Sequence, residues 1–167
     1  ICTLDDIPRF GKLGVIAAMQ AIHMSSDRPW AIERLGEQRI KDGAYVWQKL
    51  LQSGAVIVNG TDVPVEPINP IASFYASVTR KTLKGEPDGG YEPDQKMTRE
   101  QALRSYTIDA AFGEFEEEVK GSIEAGKLAD FTVFSRDIMT VDEPEILGTT
   151  VAMTVIGGKV VYEEGGK

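Results

Sequence analysis

Residues 55–67 read Ala-Val-Ile-Val-Asn-Gly-Thr-Asp-Val-Pro-Val-Glu-Pro, and they narrow the choice of fold more than any other stretch of the chain. The apolar, mostly β-branched run between Gly54 and Gly60 is too short for a helix and reads as a strand buried on both faces. Gly60 then permits a sharp turn and Pro64 stops the ladder, which leaves Asp62 at the carboxyl end of the strand. Ligand and metal sites of parallel α/β sheets and barrels lie at that end. A turn aspartate bonding its own backbone fits the same spacing, so the pattern leaves both roles open.

The same arrangement occurs once earlier in the chain. Asp5 and Asp6 can cap a short helix that takes Pro8 in its first turn and ends at Gly14. Val15 to Met19 is a second buried strand, and the polar residues Gln20 and His23 follow it. Two successive helix–strand–polar-end units describe a βα barrel or a doubly wound sheet. His23 is the only histidine. A single histidine is ordinarily a hydrogen-bonded structural residue, because metal sites need several convergent ligands, but its place at a strand end weighs toward a site.

The remaining segments are read from local signals. Met24 to Trp30 reads as a loop, with Ser26 and Asp27 available as a cap or substrate contact, and a short helix or irregular stretch follows. A helix is expected from about Gly43 to Gln52, ended by Gly54, with the aromatic residues Tyr45 and Trp47 serving packing. Another starts at Pro70 with Ile71, Phe74, Tyr75 and Val78 on its inner face. Residues 85–94, rich in Gly and Pro, form a loop that reads equally as a lid or as plain surface. Thr98 to Gln101 has capping-box spacing and opens a helix through Leu103 to Ala111. From about Glu118 the character changes: Phe131 to Phe134, Val151 to Ile156 and Lys159 to Tyr162 are strands, the last two joined by the hairpin signal Gly157-Gly158. The expected organisation is an α/β unit over residues 1–118 and an antiparallel β unit over 119–167.

Composition removes several function classes. The net charge is −8 and no long basic run occurs, which argues against nucleic-acid and anionic-membrane partners. Apolar runs reach only about seven residues, against the roughly 20 that span a bilayer. A soluble, cytoplasmic protein is the default expectation. The single cysteine excludes an internal disulfide framework. One histidine cannot supply a Ser–His–Asp arrangement beyond chance, and no glycine-rich loop carries the Lys-Ser/Thr of a phosphate site. Glu114 and Glu116 to Glu118 read as a solvated face. The opening Ile-Cys-Thr-Leu, with neither initiator Met nor signal segment, suggests part of a longer polypeptide.

Several collinear motifs carry a resemblance. Leu13 to His23, Arg34-Leu35-Gly36, Gly60 to Val65, Ala76 to Arg80, Glu100 to Arg104, Gly121 to Asp130 and the Gly157-Gly158 hairpin together resemble the YtcJ-like metal-dependent amidohydrolases, a group that includes N-substituted formamide deformylase-like enzymes. The resemblance runs from about Asp6 to Tyr162. It implies the C-terminal part of a (β/α)8 TIM barrel, with Val15 to Met19 as strand seven and Ala55 to Asn59 as strand eight, plus strands of a small β-sandwich built from both ends of a longer chain. On that reading Asp62 is a metal ligand and takes the proton of the attacking water, while Gln20 and His23 face the substrate.

The implied cofactor is a divalent metal, with zinc as the family expectation, and the implied substrate is a small amide. The family's His-x-His and further metal histidines have no counterpart in these residues. Ala21 stands where proline is usual, and Thr61 and Val63 replace the more frequent serine and tryptophan, which bears on substrate identity. The chain by itself is therefore expected to be inactive and to associate with the missing N-terminal barrel part or with a second copy. Two other readings remain: a non-enzymatic assembly fragment in which Asp62 is a vestigial turn residue, and deaminase-type chemistry on the same scaffold.

Overall fold

A computed structural model describes residues 1–166. Helix α1, Ile7–Leu13, is closed by Gly14 in the left-handed region (φ 65°), whose N–H reaches the Phe10 and Gly11 carbonyls. The chain then enters β1, Ala17–Met19. Two helices, α2 (Ile22–Gly43) and α3 (Trp47–Gln52), carry it back to β2, Ile57–Asn59. The strands pair in parallel, with Ala17 opposite Ile57 and Met19 opposite Asn59. A parallel pair needs such a crossover, and it brings both carboxyl ends to one side.

Helix α4, Pro70–Thr79, starts where the sequence places it: Asn69 accepts the Ile71 N–H and Pro70 takes the first position. A 3-10 turn at Pro93–Gln95 precedes α5, Arg99–Tyr106, which opens with a complete Thr98/Gln101 capping box. Helix α6, Ile108–Gly113, follows at once. Strands β3 (Phe131–Phe134), β4 (Val151–Ile156) and β5 (Lys159–Glu163) form an antiparallel sheet in the order β3-β4-β5, with a short helix α7, Glu143–Ile146, before β4. One buried cluster joins Ala17, Ile57, Trp47, Phe74 and Ala102 to Ile138 and Ile146. Arg99 fastens the 138–141 segment by donating to the Ile138 and Val141 carbonyls.

Three local expectations are corrected. Met24 to Trp30 is helical, as part of α2, and not a loop. Ile22, Ser25 and Arg28, with Met24 and Ala31, are buried at helical spacing, but two of these five are polar and disguise the apolar periodicity. Pro29 sits inside the helix without ending it, and the non-helical residue is Gly36 (φ 75°, ψ 160°). The helix expected from Gly43 begins only at Trp47, because Gly43 ends α2 and the backbone leaves the helical region at Ala44 (φ −102°, ψ 130°) and Tyr45 (φ 54°); Gly43 packs closely, a Cβ there lying 1.8 Å from the Cys2 oxygen. The helix read from Thr98 to Ala111 is broken at Thr107 (φ −125°, ψ −100°) into α5 and α6.

Candidate active site

Beyond β2 the Gly60 N–H still donates to the Met19 carbonyl at 3.0 Å, extending the parallel pairing by one bond. The chain then turns. Asp62 adopts φ 62°, unusual for a residue with a side chain, and its backbone carbonyl accepts the N–H groups of Val65 (2.8 Å) and Glu66 (3.2 Å). The turn is thus made by its backbone, and its side chain points elsewhere. Oδ2 lies 3.0 Å from His23 Nε2, a hydrogen bond in which the carboxylate is the acceptor and a proton on that nitrogen the donor. His23 lies in the first turn of α2, just past β1, so the pair spans the carboxyl ends of the two parallel strands.

The other face of the imidazole is acidic. Nδ1 lies 3.7 Å from both Asp27, one helical turn along α2, and Glu66, in the turn that Asp62 starts. Glu66 is held in turn by the Ser26 hydroxyl, which donates to it at 2.6 Å. Gln20 stands at the same strand end and joins the arrangement through its backbone, its carbonyl accepting the His23 N–H at 3.2 Å. The structure therefore brings His23 and Asp62 into contact, with Gln20 beside them; its amide makes no hydrogen bond to the pair among the described residues. Glu66 escaped sequence reasoning because nothing local marks it: it sits between prolines four residues past Asp62. Asp27, expected as a cap or substrate contact in a loop, lies instead on the helix α2.

A second charged group borders α2. Arg80, the left-handed cap of α4 (φ 56°), is fully buried and donates to the Tyr45 carbonyl (2.8 Å), the Tyr91 carbonyl and Glu92 (3.2 Å). Arg28 of α2 takes the other side of Glu92 at 2.7 Å. The guanidinium groups stack on Trp47 (4.6 Å, from Arg80) and Tyr91 (4.7 Å, from Arg28). Burial pulls the Arg80 pKa down to about 10, with Glu92 opposing the shift. One carboxylate between two guanidiniums pins the far end of the 85–94 loop against α2 and α4.

The test of a metal is the donor set. The Asp62 side chain is 44% exposed and only Oδ2 is engaged, so Oδ1 can serve as one hard oxygen ligand. Among the described residues no three of His, Cys, Asp and Glu are placed to hold a metal ion. These residues alone do not make a metal centre, and Asp62 fits only as a contributor to one.

A family model described as the amidohydrolase family matches residues 1–162. The chain belongs to the amidohydrolase family. It is similar to a protein named putative amidohydrolase YtcJ from Bacillus subtilis, 32% identical over 158 residues, which are 95% of this chain and 30% of that one. It is also similar to N-substituted formamide deformylase of Arthrobacter pascens, 33% identical over 119 residues, 71% of this chain and 21% of the relative. Among solved structures, an uncharacterized metal-dependent hydrolase from Pyrococcus horikoshii superposes with a TM-score of 0.72 at 33% identity, covering 83% of this chain and 28% of that one. This amidohydrolase chain thus spans less than a third of the length of each of these proteins. No helix among the described residues is long and apolar enough to cross a membrane.

Proposed function

We propose that these residues form the C-terminal segment of a metal-dependent hydrolase of non-peptide C–N bonds, acting on a small amide, with Asp62 as metal ligand and proton shuttle. The observation that carries this reading is the Asp62–His23 pair across the carboxyl ends of two parallel strands, in a chain of this family. On the same reading β1 and β2 are strands seven and eight of the barrel, residues 1–118 belong to it, and 119–167 belong to a β-sandwich.

A divalent cation, zinc by family expectation, would supply Lewis acidity and lower the pKa of a bound water. Its other ligands come from outside these residues. Within the chain, Asp62 receives the proton of the attacking water and returns it to the leaving nitrogen, a task suited to a carboxylate open to solvent on one edge. His23 holds Oδ2, and Oδ1 makes no hydrogen bond among the described residues. Gln20 and His23 contact the substrate. The whole enzyme needs its N-terminal barrel part, and the chain alone is inactive. On this reading the chain associates with that part or with a second copy.

The test is Asp62→Asn in the full-length enzyme, measured on simple N-substituted amides with divalent metal present. Turnover should fall by about 10³-fold or more while the circular dichroism spectrum is preserved, in keeping with loss of a general acid–base group and a metal ligand. A folded variant with near-normal turnover refutes the assignment. The non-enzymatic reading would instead hold if full-length protein with bound metal and intact Asp62 hydrolysed no amide.

A further inference from the structure

Helix α2 begins without a cap of its own. Its N-cap is Ala21, which has no side-chain acceptor, yet it is this first turn that presents His23. A helix start leaves backbone N–H groups without partners, and buried ones need an acceptor. Here the acceptors come from other elements. The Ala21 N–H donates to Asn59 Oδ1 at 3.1 Å, and the Ile22 N–H donates to Ser73 Oγ at 3.2 Å. Asn59 is the last residue of β2, three before Asp62, and Ser73 is a buried residue of α4.

Both acceptors are themselves held. Asn59 Nδ2 donates to Ser105 Oγ at 2.9 Å, and the Ser105 hydroxyl donates to the Ala102 carbonyl at 2.6 Å. The Tyr106 hydroxyl donates to Ser73 Oγ at 2.6 Å. The amide of Asn59 is therefore oriented at both ends, with its oxygen directed at α2. Asp62 lies in the turn three residues past Asn59 and His23 in the first turn of α2, so this contact ties together the two segments that carry the pair.

We infer that Asn59 and Ser73 are positioning residues that cap α2 from outside it and thereby hold the His23 ring against Asp62. The inference rests on the reading of Asp62 as the catalytic residue with His23 beside it at the substrate. It assigns neither residue contact with substrate.

The chain offers a direct readout, because His23 is its only histidine and gives a single imidazole spin system in the 15N-labelled 167-residue protein. In Ser73→Ala and Asn59→Leu the ring nitrogen resonances should move toward those of a free imidazole, with loss of the hydrogen-bonded Nε2 proton. Ser73→Thr, which keeps the oxygen, should retain the parent ring spectrum. Asp62→Ala, which removes the acceptor, serves as reference and should itself move the ring. If it does, while a folded Ser73→Ala or Asn59→Leu leaves the ring unmoved, the capping inference is overturned and the site reading stands. If Asp62→Ala leaves the ring unmoved, the pair itself is absent and both fall. Should Asn59→Leu fail to fold, Ser73→Ala decides alone.

Discussion

Arg80→Ala tests the charged clasp that ties α4, α2 and the 85–94 loop together. The side chain is wholly buried, so its partners have no water to replace it. Alanine strips a charged donor from two backbone carbonyls, of Tyr45 and Tyr91, each bond worth about 1.5–3 kcal/mol. It also removes a desolvated stack on Trp47, worth about 2 kcal/mol. Opposed to these losses is the cost of keeping the guanidinium out of water. Burial lowers its pKa from 12.5 to about 10, so shedding the charge returns roughly 3 kcal/mol.

Glu92 keeps Arg28 at 2.7 Å and is not left bare. The net cost is about 2–5 kcal/mol, in the range measured when one member of a buried ion pair is deleted. Urea denaturation followed by circular dichroism and tryptophan fluorescence measures it, with Trp47 buried beside the clasp. Arg80→Gly loses the same contacts but suits φ 56°, so it should be less destabilised than Arg80→Ala by about 1 kcal/mol. A stability for Arg80→Ala within about 1 kcal/mol of the parent would refute the account, since the bonds lost are charge-assisted.

Burial pushes the Tyr106 hydroxyl up to about 12, against a weaker opposing effect of its bond to Ser73. Its folded pKa exceeds the unfolded value of 10, so its contribution is intact below about pH 10 and is lost as the pH rises toward 12. The stability difference between parent and Tyr106→Phe should therefore shrink by about 2–3 kcal/mol across that window. Arg80 titrates in the opposite sense there and cancels in the comparison; a pH-independent difference in urea midpoints would contradict the burial argument. In the core, Phe74→Ala should cost about 3–5 kcal/mol, while Leu103→Ala, at a half-buried position, should cost less than about 2 kcal/mol. Equal losses in the two variants would show that the inner face of α5 has been drawn wrongly.

How far the sequence carried this protein depends on the range of each signal. Asn69-Pro70, the Thr98–Gln101 box and the Gly157-Gly158 hairpin were legible because a cap or a two-residue turn is made by neighbours in the chain. The strand ending toward Asp62 was legible for the same reason, as was its family membership through collinear motifs. Tertiary structure decided what lies across the crossover. It made a helix of residues 24–30, whose buried face includes Ser25 and Arg28, and it broke the chain at Thr107. It set His23 against Asp62, 39 residues away, and brought up Glu66, which has no local signature. Hydrogen-bond partners within a turn are written in consecutive residues, whereas the partners of a strand end are chosen by the parallel pairing that carries two distant loops to the same edge.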